Sequence, residues 1–239
     1  MRMNATTSFI MTMGIGLLGL AFFYEKPIAY TLHSMQPVAV MKKRTFHETP
    51  VVKIMANYDD VVGFGSGVYI APNKILTAAH VVHDQERHKD PETITVDDGH
   101  LHIVSVKNVT RYKNKYDGGG YDDLAIITMD TKHVYYPVAK TVQATQLTVL
   151  GYPSVDGQSK QGYETTGTIV TDEHNHLWVT DNYVESGGSG SGVLNEHGEV
   201  VGIQVSKLYR TDLLKNRKEF SGAVKFTDDE LKWINEQIR

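Results

Sequence analysis

The sequence predicts an all-β protein closed by one short helix, and two observations carry that prediction. From Pro50 onward, short apolar runs are separated by turn signals, with no helical periodicity before residue 226. Thr227-Asp-Asp-Glu230 then reads as a capping box, and Leu231, Ile234 and Ile238 recur at i, i+3 and i+7 on one helical face. Trp233 sits near the edge of that face. Short strands at this spacing point to a sandwich or a barrel.

The elements follow in order. Val51–Ala56 is an apolar strand, and Val61–Ile70 alternates, with Gly63, Gly65 and Gly67 allowing close strand approach or a bulge. Ala71–Lys74 is a turn, after which Ile75–Val82 resumes. Thr93–Val96, Leu101–Val106 and Asn108–Tyr112 are further short strands. Lys113–Tyr121 is a glycine-rich loop, followed by the strand Leu124–Met129. Val134–Val138, Leu147–Gly151, Tyr163–Val170 and Leu177–Thr180 complete the series before the Val193–Val205 region. Acidic residues in the first turn of the helix at 227–238 suit its dipole.

At 239 residues the chain is long enough for one two-lobed domain or two small ones. A net charge of −4 offers no basic footprint, so nucleic acid is not an expected partner. The sequence contains no cysteine, which excludes a disulfide scaffold, a thiolate zinc site and a cysteine nucleophile together. Residues 1–24 read as a signal peptide or membrane anchor, because Phe9–Tyr24 is uncharged and largely apolar on every side. Residues 25–47 read as a linker or propeptide and 48–239 as the folded domain. The expectation is a secreted or extracytoplasmic protein, possible membrane contact being confined to residues 9–24.

The chemistry gathers around Glu185–Val193, E-S-G-G-S-G-S-G-V, where glycines allow sharp turns and positive φ beside serine hydroxyls. Two upstream signals give it context. Thr77-Ala-Ala-His80 ends a strand of small and apolar residues, and Asp122-Asp-Leu-Ala-Ile126 places carboxylates at the head of another. A serine hydroxyl becomes a competent nucleophile when a neutral imidazole can take its proton. A buried carboxylate then fixes the tautomer and stabilises the imidazolium.

These segments resemble the chymotrypsin-like (trypsin-fold) serine endopeptidases, most closely the bacterial glutamyl-endopeptidase and exfoliative-toxin branch. Gly65–Val82 is similar to that branch's histidine segment, Asp123–Ile127 to its aspartate segment and Gly187–Ile203 to its serine segment. The resemblance spans roughly residues 48–238. It implies two six-stranded antiparallel β-barrels, about 48–135 and 136–225, followed by the helix. It further implies a serine endopeptidase acting on proteins or peptides through an acyl-enzyme, without cofactor or metal, as a monomer. The alternative is an inactive protease fold kept as a binding or toxin module. A metal protein is a third reading, from His100-x-His102 and His174-x-His176, each a half-site without a third ligand. The envelope chaperone-proteases with an N-terminal anchor are a fourth, but those carry a peptide-binding domain where this chain has only its helix.

By the same resemblance His80 is the general base, Asp123 (with Asp122 as its rival) the orienting acid, and Ser189, rather than Ser191, the nucleophile. The N–H groups of Gly187 and Ser189 would form the oxyanion hole. The family usually has Asp or Asn just before the serine. Gly188 stands there and removes a side-chain hydrogen bond that helps hold the loop. Glutamate-cleaving members also carry a histidine and a hydroxyl residue where this chain has Gln204 and Val184. Tyr183 and Ser221 are further candidates for the same pocket. A substrate carboxylate would lose partners there, so the expected preference is for a neutral or polar residue before the scissile bond.

Overall fold

A computed structural model describes residues 40–44, 49–84, 86–97, 104–113, 122–154, 162–173, 176–211 and 217–239. The apolar segment Phe9–Tyr24 and the residues His100, His102 and His174 lie outside them. No helix among the described residues is long and apolar enough to cross a membrane.

The described chain is almost entirely antiparallel β. Strands β1 (Val40–Arg44), β2 (Val51–Asn57), β3 (Val62–Ala71), β4 (Lys74–Thr77), β5 (Thr93–Asp97), β6 (Val104–Arg111) and β7 (Ala125–Met129) come first. Then follow β8 (Gln146–Gly151), β9 (Gly162–Glu173), β10 (Leu177–Thr180), β11 (Gly192–Leu194), β12 (Val200–Thr211) and β13 (Arg217–Lys225), and the helix α1 (Asp228–Gln237) ends the series. Strands β2-β3-β4-β7-β6-β5 close into the first barrel, β5 pairing back on β2. The second sheet runs β1-β9-β10-β13-β12-β11-β8, and β9 also pairs with β8, which rolls strands β8 to β13 into the second barrel. The expected two-barrel, all-β class with one terminal helix is the observed one.

Sequence explains the local choices. Alternation on β2 buries Val52, Ile54 and Ala56 against the barrel interior. A Cβ on Gly67 would lie 2.6 Å from Ile75 Cγ2 and 2.9 Å from Ile54 Cδ1, so the strands approach too closely for any side chain there. Ile54, Leu76, Ile126, Ile127 and Met129 form the centre of a cluster that continues into the second barrel through Ile203 and Val224. Leu231 and Ile234 of α1 join that cluster, and Trp233 packs on Tyr112 at 5.2 Å between ring centroids. The capping box is formed as read: Thr227 accepts from Glu230 N–H while the Glu230 carboxylate reaches back to Thr227 N–H.

Five details differ from the sequence reading. The two strands expected at Leu101–Val106 and Asn108–Tyr112 are met by the single strand β6, with a register shift between Val106 and Asn108. Val40–Arg44, within the stretch read as linker or propeptide, is a strand paired with Thr166–Gly162 of β9. Strand β13 was not anticipated at all. Val134–Val138, expected as a strand, forms only one bridge, Val138 to Val200. Its backbone divides between two partners: Tyr136 N–H donates to Tyr69 of the first barrel, and Ala139 N–H to Val200 of the second. A ladder needs one continuous neighbour, so this segment crosses between barrels instead. Finally, Ile75–Val82 stops being a strand at Thr77, for a reason that belongs to the site.

Candidate active site

Strand β4 ends where Asp123 captures the following backbone. Ala79 N–H donates to the Asp123 carbonyl at 3.2 Å and His80 N–H to Asp123 Oδ1 at 2.9 Å. Those two bonds replace the ladder, and Ala79–Val81 coils into one 3₁₀ turn that turns the His80 ring back toward the same acid. His80 Nδ1 lies 2.5 Å from Asp123 Oδ2. Asp123 is 2% exposed and His80 22%. With Nδ1 engaged by the carboxylate, Nε2 is the nitrogen left to face a reacting group. Burial alone would lower the imidazole pKa, but the charge and hydrogen bond of Asp123 outweigh it and hold His80 above its ordinary 6.5. Asp122, by contrast, points to a surface lysine, Lys113, at 3.1 Å.

Ser189 belongs to the second barrel but is tied to the first. Its carbonyl accepts from Ser66 N–H of β3 at 2.7 Å. Gly190, at φ +83°, lies so close to the first barrel that a Cβ would sit 2.2 Å from both the Ser66 carbonyl and Thr77 Oγ1, and 3.1 Å from Ala78 N. Thr77 and Ala78 precede His80 on the chain, so the serine loop packs on the segment that leads to the histidine. Among the described residues no hydrogen bond joins the Ser189 hydroxyl to His80, a common state of an unliganded site.

The loop expected to be poorly held for want of a side chain at Gly188 is nonetheless closed. Gly188 N–H donates to the Glu185 carbonyl at 2.9 Å, with Gly187 at φ +84°, the positive φ such a turn requires at its third residue. A Cβ at position 188 would itself lie 2.9 Å from the Glu185 carbonyl oxygen. The N–H groups of Gly187 and Ser189 make no hydrogen bond among the described residues, and both remain available as donors.

Several of the side chains proposed for the pocket are bonded within the protein. Gln204 is 1% exposed, and its amide N–H₂ donates to the Ser206 carbonyl at 2.8 Å and the Gly222 carbonyl at 3.2 Å. Ser221 Oγ donates to Gln204 Oε1. Both amide protons are therefore engaged within the protein. Val184 is buried and presents only methyls, and the Tyr183 hydroxyl donates to Glu185 Oε1 at 3.2 Å. Sequence reasoning missed the charge beside them. Lys207 Nζ lies 3.0 Å from Glu185 Oε2 and 2.8 Å from Glu219 Oε1. Burial would lower the Lys207 pKa, but the two carboxylates hold it above the usual range. No spacing signals this cluster, because Lys207 and Glu219 meet only through the register of β12 on β13.

Two antiparallel barrels in tandem, closed by a helix, are the trypsin-like fold. Residues 65–203 match the trypsin-like peptidase domain family. The chain belongs to that family, and its activity class is that of a serine endopeptidase. Solved structures agree on the fold. A Glu endopeptidase complexed with MPD aligns at a TM-score of 0.67 and 20% identity, covering 83% of this chain and 96% of the other. The serine endoprotease from Yersinia pestis aligns at 0.59 and 22%, covering 81% and 64%. The protease Anisep from Arthrobacter nicotinovorans aligns at 0.62 and 14%, covering 81% and 97%.

Proposed function

We propose that this serine endopeptidase works through His80, Asp123 and Ser189. Ser189 Oγ attacks the scissile carbonyl while His80 Nε2 takes its proton, and Asp123 steadies the resulting imidazolium. The tetrahedral oxyanion is met by the N–H groups of Gly187 and Ser189. Collapse expels the amine, protonated by His80, and leaves an acyl-enzyme that water hydrolyses by the reverse proton route. The observation that carries this reading is the 2.5 Å contact between His80 Nδ1 and the buried Asp123 carboxylate, which leaves Nε2 as the ring nitrogen for proton transfer.

The substrate preference we propose is for a neutral or polar side chain before the scissile bond. An entering carboxylate would find the Gln204 protons already engaged and Val184 without a donor. Lys207, the cation beside Glu185, is already shared between two carboxylates. Desolvation would go uncompensated, at a cost above the roughly 1–3 kcal/mol of a neutral polar group. Phe9–Tyr24 supports action outside the cytoplasmic membrane.

One experiment tests mechanism and preference together. A peptide library is digested with the protein and with Ser189→Ala, and a fluorophosphonate probe is applied to both. The expected result is labelling and cleavage by the first only, with bonds after neutral or polar residues favoured. Cleavage confined to bonds after Glu overturns the pocket reading. Absence of labelling with no cleavage by either form supports an inactive binding module instead.

A further inference from the structure

Ser66, on β3 of the first barrel, lies far from the serine loop in sequence and bonds to it twice. Its hydroxyl donates to the Gly187 carbonyl at 2.7 Å and accepts from Tyr152 N–H at 2.8 Å, so its one proton and one acceptor site are both committed. Its own N–H donates to the Ser189 carbonyl at 2.7 Å. Ser66 is 0% exposed, and its carbonyl accepts from Thr77 Oγ1 at 2.7 Å, on the strand that leads to His80.

What these bonds do follows from peptide planarity. In a trans peptide the N–H and the preceding C=O point in opposite directions, so fixing one aims the other. The Ser186 carbonyl accepts from Ser154 N–H at 2.7 Å, which turns the Gly187 N–H the opposite way. The Gly188 carbonyl accepts from Ser191 N–H at 3.0 Å, which does the same for the Ser189 N–H. Between those two peptides lies the Gly187–Gly188 peptide. Two adjacent glycines have broad freedom of rotation there, and Gly188 supplies no side chain to restrain it. Its N–H is held by Glu185, and the only side chain holding its carbonyl among the described residues is Ser66.

We propose that Ser66 is a positioning residue, whose hydroxyl locks the Gly187–Gly188 peptide from the opposite barrel. In doing so it keeps the Gly187 and Ser189 N–H groups aimed at one point. The side chain that Gly188 lacks is replaced by a restraint from a different strand. The catalytic consequence rests on the mechanism proposed above, whereas the restraint itself does not.

The test compares Ser66→Ala and Ser66→Cys with the parent protein by two readouts. The first is hydrogen exchange, followed by mass spectrometry, of the segment 183–192. The second is peptide hydrolysis, resolved into kcat and KM, with inhibition by a peptide aldehyde that forms a tetrahedral adduct. Ser66→Ala should speed exchange in 183–192 while leaving β4 and β7 unchanged. It should lower kcat by about 30- to 100-fold and weaken the aldehyde by a similar factor, with KM within about threefold. Ser66→Cys fills the same space with a weaker donor, should lie between the two, and provides the same comparison if Ser66→Ala does not fold. Unchanged exchange in 183–192 overturns the restraint in either variant. A loss expressed in KM, or equally in aldehyde-insensitive binding, overturns the positioning role. Faster exchange in Ser66→Ala, when the parent protein itself neither hydrolyses peptides nor takes the fluorophosphonate, upholds the restraint and rejects the protease mechanism instead.

Discussion

At the scale of the residue, adjacent aspartates have opposite surroundings. Asp123 is buried against His80, whereas Asp122 meets Lys113 near solvent. The contact with Lys113 is worth less than about 1 kcal/mol, as exposed ion pairs usually are. Asp122→Asn should therefore leave kcat/KM within about twofold. Asp123→Asn should lower it by about 10⁴, because the tautomer and the imidazolium both lose their support. The pH profile supplies the sign. A general base must be neutral, and His80 titrates above 6.5 because Asp123 outweighs burial. The alkaline-rising limb of kcat/KM should accordingly be centred above 6.5, and in Asp123→Asn the residual activity should rise at lower pH. A larger loss in Asp122→Asn than in Asp123→Asn would reverse the assignment of the acid.

At the scale of the element, α1 docks by burying the capping residue itself. Glu230 is 1% exposed, its Oε2 accepts from Thr227 N–H at 2.7 Å and from Thr227 Oγ1 at 2.9 Å, and its Oε1 has no partner among the described residues. Burial pushes its carboxyl up to about 7 from an ordinary 4.5; the Thr227 bonds and Lys113 oppose that rise, and Asp122 adds to it. A raised folded pKa means that the helix is most stable when Glu230 is protonated. Its contribution is complete below about 4.5 and fades as pH rises through 7. Glutamine also closes a capping box. Glu230→Gln should therefore flatten this dependence, gaining on the order of 2 kcal/mol over the parent at pH 8 and little at pH 4. Urea melts at both pH values measure it, and equal differences at the two would count against the ionisation of Glu230.

At the scale of the whole molecule, the second barrel is larger than its six-stranded ring. Strand β1 covers the Gly162–Thr166 edge of β9 through five paired residues. A chain beginning at Thr45 would leave that edge bare, a site for pairing with other chains. It should melt at least about 3 °C below a chain beginning at Val38 and aggregate more readily on heating. Equal melting temperatures for the two would show that β1 adds no stability. The barrels themselves are joined at the site rather than merely adjacent. Ser66 N–H to the Ser189 carbonyl and the packing of Gly190 on Thr77 and Ala78 link them where the chemistry would occur.

The sequence by itself determined what depends on neighbours in the chain. Strand runs such as Val51–Ala56 and Leu177–Thr180, the capping box at Thr227 and the three short segments around His80, Asp123 and Ser189 are local patterns. Alternation, turn chemistry and motif spacing are therefore enough to read them. Tertiary structure alone decided where hydrogen-bonding capacity is used up. Gln204 looks like a free donor until Ser206 and Gly222 are seen to take both its protons, and Gly188 looks like a weakness until Ser66 arrives from another barrel. Val134–Val138 has the composition of a strand but divides its backbone between two barrels. Strand β1 has little apolar pattern and becomes a strand because β9 offers an edge. The physical reason is common to all four: a buried polar group must be satisfied, and its partner is chosen by proximity in space, which the order of residues does not encode locally.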